Sequence, residues 1–151
     1  MLKEFVENNR YLFIEKIDTW QEAIRMSCKT LEQDYCVDAS YAEEIISCVT
    51  KYGPYIVLMP NVAMPHATEN AKGVNKTAIA FMKVEEPVIF DDNGSKKSAQ
   101  LFFTLASCDS EKHLKNMQKL CDLLTNESLI EELAKAKTPE ELLVLHKKYL
   151  E

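Results

Sequence analysis

Glycine is scarce in this chain, three residues in 151. With 46% hydrophobic and 28% charged residues, that composition excludes a linker or a disordered tract and describes a globular chain. Acidic residues outnumber basic ones 24 to 18, giving a formal charge of −6 and a pI near 5.2. A net field of that sign repels phosphate backbones, so no nucleic-acid partner is expected. No apolar run reaches the length of roughly 20 residues that spans a bilayer, and the N-terminus (Met1-Leu-Lys-Glu-Phe5) has no signal-peptide pattern. The expectation is a cytoplasmic protein without direct membrane insertion. The five cysteines, at 28, 36, 48, 108 and 121, form neither CxxC nor a zinc spacing, and point to reduced, mostly buried thiols. The three histidines lie far apart and there is no HExxH, so neither metal nor cofactor is expected.

What is present reads as one domain over residues 1–151, long enough to bury roughly two-thirds of its unfolded surface. Residues 2–9 form a short helix. Thr19-Trp-Gln-Glu22 is a capping box, followed at helical spacing by Trp20, Ala23, Ile24, Ser27 and Leu31. Ser40-Tyr-Ala-Glu43 is a second, leading through Ile45, Ile46 and Val49 to a stop at Gly53-Pro54. The period then changes. Residues 55–59 read as a buried strand, 77–84 and 98–106 as strands with the second apolar enough to be central, and 88–90 as a short strand before a turn at Asp91-Asp-Asn-Gly94. Helices return: one capped by Ser110 or Asp109 and running to about Leu124, one capped by Ser128-x-x-Glu131, and one opened by Thr138-Pro139. Helices, then strands, then helices imply an α/β domain, a mixed β-sheet sandwiched between helices.

His66 follows three prolines, at 54, 60 and 65, and leaves a short extended segment in Met64-Pro65-His66-Ala67. Two readings stand: a loop histidine whose ring bonds a backbone carbonyl and does nothing else, or a nucleophile. In the second, one ring nitrogen donates to a carbonyl and the other keeps its lone pair for attack. His113 falls in the first turn of a helix, at about the third position, beside the stripe Leu114, Met117, Leu120, Cys121 and Leu124. The positive helix end favours a neutral, hydrogen-bonding ring there, and the free amides make a phosphate cradle; a plain edge-of-core histidine is the alternative. His146, beside Lys147 and Lys148 near a helix C-terminus, reads as structural.

The Met64-Pro65-His66-Ala67 segment resembles the active-site signature of the enzyme IIA domains of the bacterial phosphotransferase system, mannitol/fructose superfamily. The order of Gly73-Val-Asn-Lys-Thr77, the 78–84 strand, Pro87-Val-Ile-Phe90, the 101–106 strand and Asp109…His113-Leu114 is similar too. Tyr52-Gly-Pro-Tyr55 looks most like the ascorbate branch. The resemblance implies a phosphocarrier: His66 accepts a phosphoryl group from phospho-HPr on Nε2 and passes it to a IIB component, on a cysteine in this branch, with the membrane IIC component engaged indirectly. It implies that His113 is the non-phosphorylated histidine that hydrogen-bonds the phosphoryl oxygens. Thr68 and Ser110 are candidate hydroxyl donors to phosphate, and Met59, Val62 and Met64 a candidate apolar rim that limits water.

Mannitol- and fructose-type members usually carry an arginine upstream of the histidine motif. Here that stretch reads Val49-Thr-Lys51-Tyr52, and Lys51 is the candidate point charge in its place. A regulatory protein of the same fold, switched by phosphorylation of His66, is the second functional reading. An unrelated hydrolase is the third, weakened by the lack of a GxSxG element. The oligomeric state stays open, a homo-oligomer included.

Overall fold

The strand β5 (Ser98–Ala106) is mostly apolar, and only Ser98 and Gln100 escape full burial. A strand of that kind belongs in the middle of a sheet covered on both faces. The computed structural model, which describes residues 1–68, 71–90 and 97–151, places it there. Around it lie β1 (Tyr11–Ile14), β2 (Val57–Met59), β3 (Asn61–Ala63) and β4 (Ala78–Ile89), in the order β1-β4-β5-β3-β2. The pairs β1·β4 and β3·β5 are parallel, whereas β4·β5 and β2·β3 are antiparallel.

Alternation along the strands divides the core between two helical layers. Ala80, Met82 and Phe102 face α2 (Trp20–Ser27), α3 (Lys29–Gln33) and α4 (Ala39–Tyr52), meeting Ile24, Leu31 and Ile45. Ile79, Phe81, Phe103 and Leu105 face α1 (Leu2–Glu7), α5 (Ser110–Leu124), α6 (Glu127–Leu133) and α7 (Pro139–Tyr149), meeting Leu2, Phe5, Leu123 and Leu142. Phe81 stacks on Phe5 at 5.9 Å and meets Phe103 at 5.3 Å, tying α1 to the sheet. The expected mixed sheet between helices is therefore the observed fold. Among the described residues no helix is long and apolar enough to cross a membrane, and no group of three or more metal-ligating side chains comes together. Cys28, Cys36 and Cys48 are buried free thiols, while Cys108 and Cys121 are exposed.

Several local expectations are corrected. The 55–59 strand shrinks to the three residues of β2, on the sheet edge with Leu58 58% exposed, because residues 53–57 form turns closed by Tyr55 N to Gly53 O (2.7 Å) and Val57 N to Pro54 O (3.1 Å). Two strands were not anticipated, β1 and β3. The latter opens on Asn61 at φ +69, a conformation that no periodicity announces. The 77–84 and 88–90 strands are one element, β4, with a bulge between Lys83 and Val88. Pro87 is tolerated there because β1 pairs β4 only as far as Val84, leaving no ladder donor to lose. The helix from Trp20 is interrupted at Cys28. The caps of α4 and α6 are Asp38 and Asn126, two residues ahead of the expected serines; in α4, Ser40 instead donates both N–H and hydroxyl to Asp38. In α5 the buried residues are Leu120 and Leu123; Met117 and Leu124 pack at the edge, and Leu114 and Cys121 are exposed. The turn expected at Asp91-Asp-Asn-Gly94 lies outside the described residues.

α7 holds α1 through a bond from Lys3 N–H to His146 Nδ1, 3.3 Å long, which only a neutral acceptor nitrogen can make. Burial lowers the His146 pKa from the ordinary value of 6.5. The unfolded chain thus binds the proton more readily, and this contribution to stability is complete above the unfolded value and lost as pH falls through the folded one. The thermal midpoint is expected to drop between pH 7.5 and 5.5, and His146→Gln, which keeps an acceptor without titrating, should drop less over the same interval.

Candidate active site at the carboxyl ends of β3 and β5

β3 and β5 run parallel with Ala63 opposite Phe102, so the chain leaves both at the same end of the sheet. β3 leads into Met64-Pro65-His66, and β5 into Ser107-Cys108-Asp109 and the helix that carries His113. Parallel strands place ligand sites at this end, where two outgoing segments face one crevice.

The first segment stays ladder-like past β3. Met64 N–H bonds Ile56 O (2.8 Å) and Leu105 N–H bonds Pro65 O (2.9 Å), while Pro65 has no N–H to satisfy. His66 Nδ1 lies 2.5 Å from Met64 O. A carbonyl only accepts, so Nδ1 carries the hydrogen and Nε2 keeps its lone pair. The edge of one ring meets the face of the other between Tyr55 and His66, at 5.2 Å and 88° between planes, and the Tyr55 hydroxyl donates to His66 O. Tyr41, buried in the first turn of α4, donates to Leu105 O (2.5 Å) and accepts from Ala67 N–H (3.3 Å). Burial raises both phenol pKa values above their ordinary range, so both hydroxyls stay protonated. α4 itself packs tightly against Gly73 (φ +91), where an added Cβ would lie 2.9 Å from Tyr41 N.

The second segment is anchored by Thr77, whose hydroxyl accepts from Cys108 N–H (2.9 Å) and Asp109 N–H (2.8 Å). Asp109 then caps α5 by accepting from Glu111 and Lys112 N–H. His113 is the fourth helical residue, not the third, and its own N–H bonds Asp109 O at 3.0 Å. The amides at 111, 112 and 113 are therefore already bonded, which corrects the expected cradle of free amides. His113 Nδ1 is buried without a partner among the described residues, so Nε2 is the ring nitrogen left to meet a ligand. An orphaned lone pair is cheaper to bury than an orphaned N–H, which favours the tautomer with hydrogen on Nε2.

His66, Thr68, Ser107 and His113 line one cavity of about 250 Å³. Its apolar wall is Tyr41, Leu58, Met64 and Met117. A second hollow of about 230 Å³ shares His66, Ala67 and Thr68 as a wall and is closed by Cys48, Tyr52 and Tyr55. Of the candidate residues, His66, His113 and Thr68 are brought together. Lys51 and Ser110 are not: Lys51 is exposed, its ammonium 5.2 Å over the Tyr52 ring, and Ser110 is an exposed first residue of α5. Met64 keeps its place in the rim, but Val62 is in the core and Met59 packs against it; Leu58 and Met117 take their places. Among the described residues no lysine or arginine lines the cavity.

A sequence profile of the family "Phosphoenolpyruvate-dependent sugar phosphotransferase system, EIIA 2" matches residues 4–148. The chain belongs to this family. The mannitol-specific cryptic phosphotransferase enzyme IIA component of Escherichia coli K12 is 30% identical over 93% of this chain and 94% of its own length. The ascorbate-specific EIIA component of Salmonella choleraesuis is 28% identical over 92% and 90%. Identity thus places the chain in the family without setting the ascorbate branch above the mannitol one. The crystal structure of a putative IIA domain from Streptococcus pyogenes superposes with a TM-score of 0.84 at 34% identity, covering 100% of this chain and 96% of that one. Enzyme IIA of the mannitol system of Escherichia coli, solved in complex with phosphorylated enzyme IIB, gives 0.75 at 28% identity, covering 90% and 92%. The chain is accordingly a IIA-type component of a sugar phosphotransferase system.

Tyr41, Thr77, Ser107, Leu58 and Met117 escaped the motif reading. Only Tyr41 had a signal: a tyrosine at helical spacing before Ile45 and Val49 buries a hydroxyl that must find a partner. Thr77→Val, which keeps shape and removes the acceptor, should cost about 1–3 kcal/mol in urea unfolding because two amide donors lose their partner. Thr77→Ser should recover most of it.

Proposed function

We propose that the protein is a cytoplasmic phosphocarrier, acting as one domain over residues 1–151, in which His66 takes a phosphoryl group from phospho-HPr and hands it to a IIB component. The observation that carries this reading is the 2.5 Å contact of His66 Nδ1 with Met64 O, which leaves Nε2 as the nucleophile beside the cavity shared with His113. The solved IIA–IIB complex of a relative supports IIB as the acceptor. A cysteine of IIB receives the group, and the membrane IIC component is served through IIB. The permeated compound is ascorbate or a related sugar. Relatives named as mannitol- and ascorbate-specific phosphotransferase components favour this over a purely regulatory role.

In the forward step the Nε2 lone pair attacks phosphorus as the bond from phosphorus to the donor breaks. The Nδ1–H stays on the Met64 carbonyl, which stabilises the positive charge that the ring acquires. Transfer through a loose transition state depends on in-line placement and on neutralising the three peripheral oxygens. With no lysine or arginine lining the cavity among the described residues, His113 Nε2–H and the hydroxyls of Thr68 and Ser107 serve as donors. Leu58, Met64 and Met117 exclude water, which otherwise hydrolyses a phosphohistidine. In the second step a thiolate of IIB attacks phosphorus and the P–Nε2 bond breaks, restoring neutral His66.

Incubation with phosphoenolpyruvate, enzyme I and HPr should place one acid-labile, base-stable phosphoryl group on the native protein and none on His66→Ala. An unmodified native protein in the presence of competent phospho-HPr would sink the proposal. His113→Ala should slow transfer about 100-fold, the usual cost of removing one transition-state donor, while its urea midpoint stays near native. Unchanged transfer would remove His113 from the site.

A further inference from the structure

Leu105 is where the β3–β5 ladder is interrupted, and the interruption has a specific chemical form. In a parallel pair, a residue that donates to one carbonyl of its neighbour receives the N–H two residues further on. Leu105 N–H donates to Pro65 O at 2.9 Å, so Leu105 O should receive Ala67 N–H. The Tyr41 hydroxyl stands between them instead, donating to Leu105 O at 2.5 Å and accepting from Ala67 N–H at 3.3 Å. Two bonds through an oxygen replace one direct bond, which parts the strands at the residue after His66, where the cavity opens. The amide of Ala67 and the carbonyl of His66 are the two ends of one peptide unit. That carbonyl accepts the Tyr55 hydroxyl, whose ring also meets the His66 imidazole. Tyr41 sits in the first turn of α4 and Tyr55 in the turn just past its end at Gly53, so α4 and the turn that follows it hold the peptide through both of its polar atoms.

We propose that Tyr41 and Tyr55 are positioning residues that clamp the His66–Ala67 peptide, hold the strands apart there, and keep Nε2 in line for both transfer steps. The kinetic part rests on the phosphocarrier role of His66; the clamp itself does not. Neither tyrosine exchanges a proton or touches phosphorus in this scheme. Their effect is geometric: reacting groups displaced by about 1 Å lose about 100-fold in rate, and losing one of the two clamp bonds displaces Nε2 by less, for a loss of about tenfold.

The test uses Tyr41→Phe and Tyr55→Phe, which remove one oxygen and keep each ring, in the full chain. Amide hydrogen exchange and the ¹⁵N resonances of the His66 ring report the clamp without any phosphorylation. In Tyr41→Phe the Ala67 amide should exchange about tenfold faster relative to the β5 amides, the effect of one lost hydrogen bond. In Tyr55→Phe, which affects a half-exposed side chain and spares the core, the ¹⁵N pattern of His66 should move from a single Nδ1–H tautomer toward an averaged one. Each variant should lower the rate constant for transfer from phospho-HPr about tenfold with KM within about twofold. Unchanged or slower exchange at Ala67 together with an unchanged His66 ring overturns the clamp. A rate loss expressed wholly in KM, or one that follows the fraction unfolded in urea, does so as well. Altered Ala67 and His66 signals in a protein that phospho-HPr never modifies would leave the clamp standing and sink the phosphocarrier role instead.

Discussion

The parallel pairing of β3 with β5 is the constraint on which the site depends. β3 is three residues long and its partner β2 lies on the edge, so its position is set by β5 on one side and by the bonds of Met64 and Pro65 beyond its end. Because both strands point the same way, His66 and the N-terminal end of α5 emerge together, and no further element is needed to bring two histidines into one cavity. An antiparallel arrangement would have sent them to opposite ends of the sheet. The two-layer core fixes β5 itself, through Phe102 toward α2–α4 and Phe103 and Leu105 toward α5–α7.

The electrostatic character of the site follows from the same geometry. No lysine or arginine among the described residues lines the cavity, and the helix amides at 111 to 113 are already bonded within the chain. In the proposed function, what remains for a phosphoryl group is a set of neutral donors: one histidine nitrogen and two hydroxyls. Neutral donors that need no reorganisation bind a developing charge well in a partly dry cavity. They also release it more readily than a fixed cation would, which suits a proposed carrier that must give the group away.

Local sequence was informative where a single residue type has one physical job. Thr19, Asp109 and Thr138 each cap a helix, and Pro139 stands at the first position of α7, as their chemistry dictates. The strand 98–106 was legible because burial on both faces leaves a mostly apolar run, Leu101–Phe103 with Leu105 and Ala106, bounded by polar residues. Where two good caps compete, pattern alone chose wrongly: Asp38 over Ser40 and Asn126 over Ser128 were decided by which side chain met a free amide. β1 and β3 were invisible for a different reason. They are four and three residues long, too short for a period to show, and exist because a longer neighbour supplies the ladder.

From the sequence by itself came the α/β class, the family, and the prominence of His66, since apolar alternation, helix caps and a proline-fixed histidine are all local properties of a chain. Only the tertiary structure decided which side chains share a cavity. Lys51 was excluded, Ser107 and Met117 were admitted by the meeting of segments forty or more residues apart, and Leu58 by the turn of the chain from β2 into β3. The tautomer of His66 belongs to the structure too, because a bond to the Met64 carbonyl depends on the backbone path after β3. So does the role of Tyr41, whose hydroxyl finds its place only where a ladder between β3 and β5 has come apart.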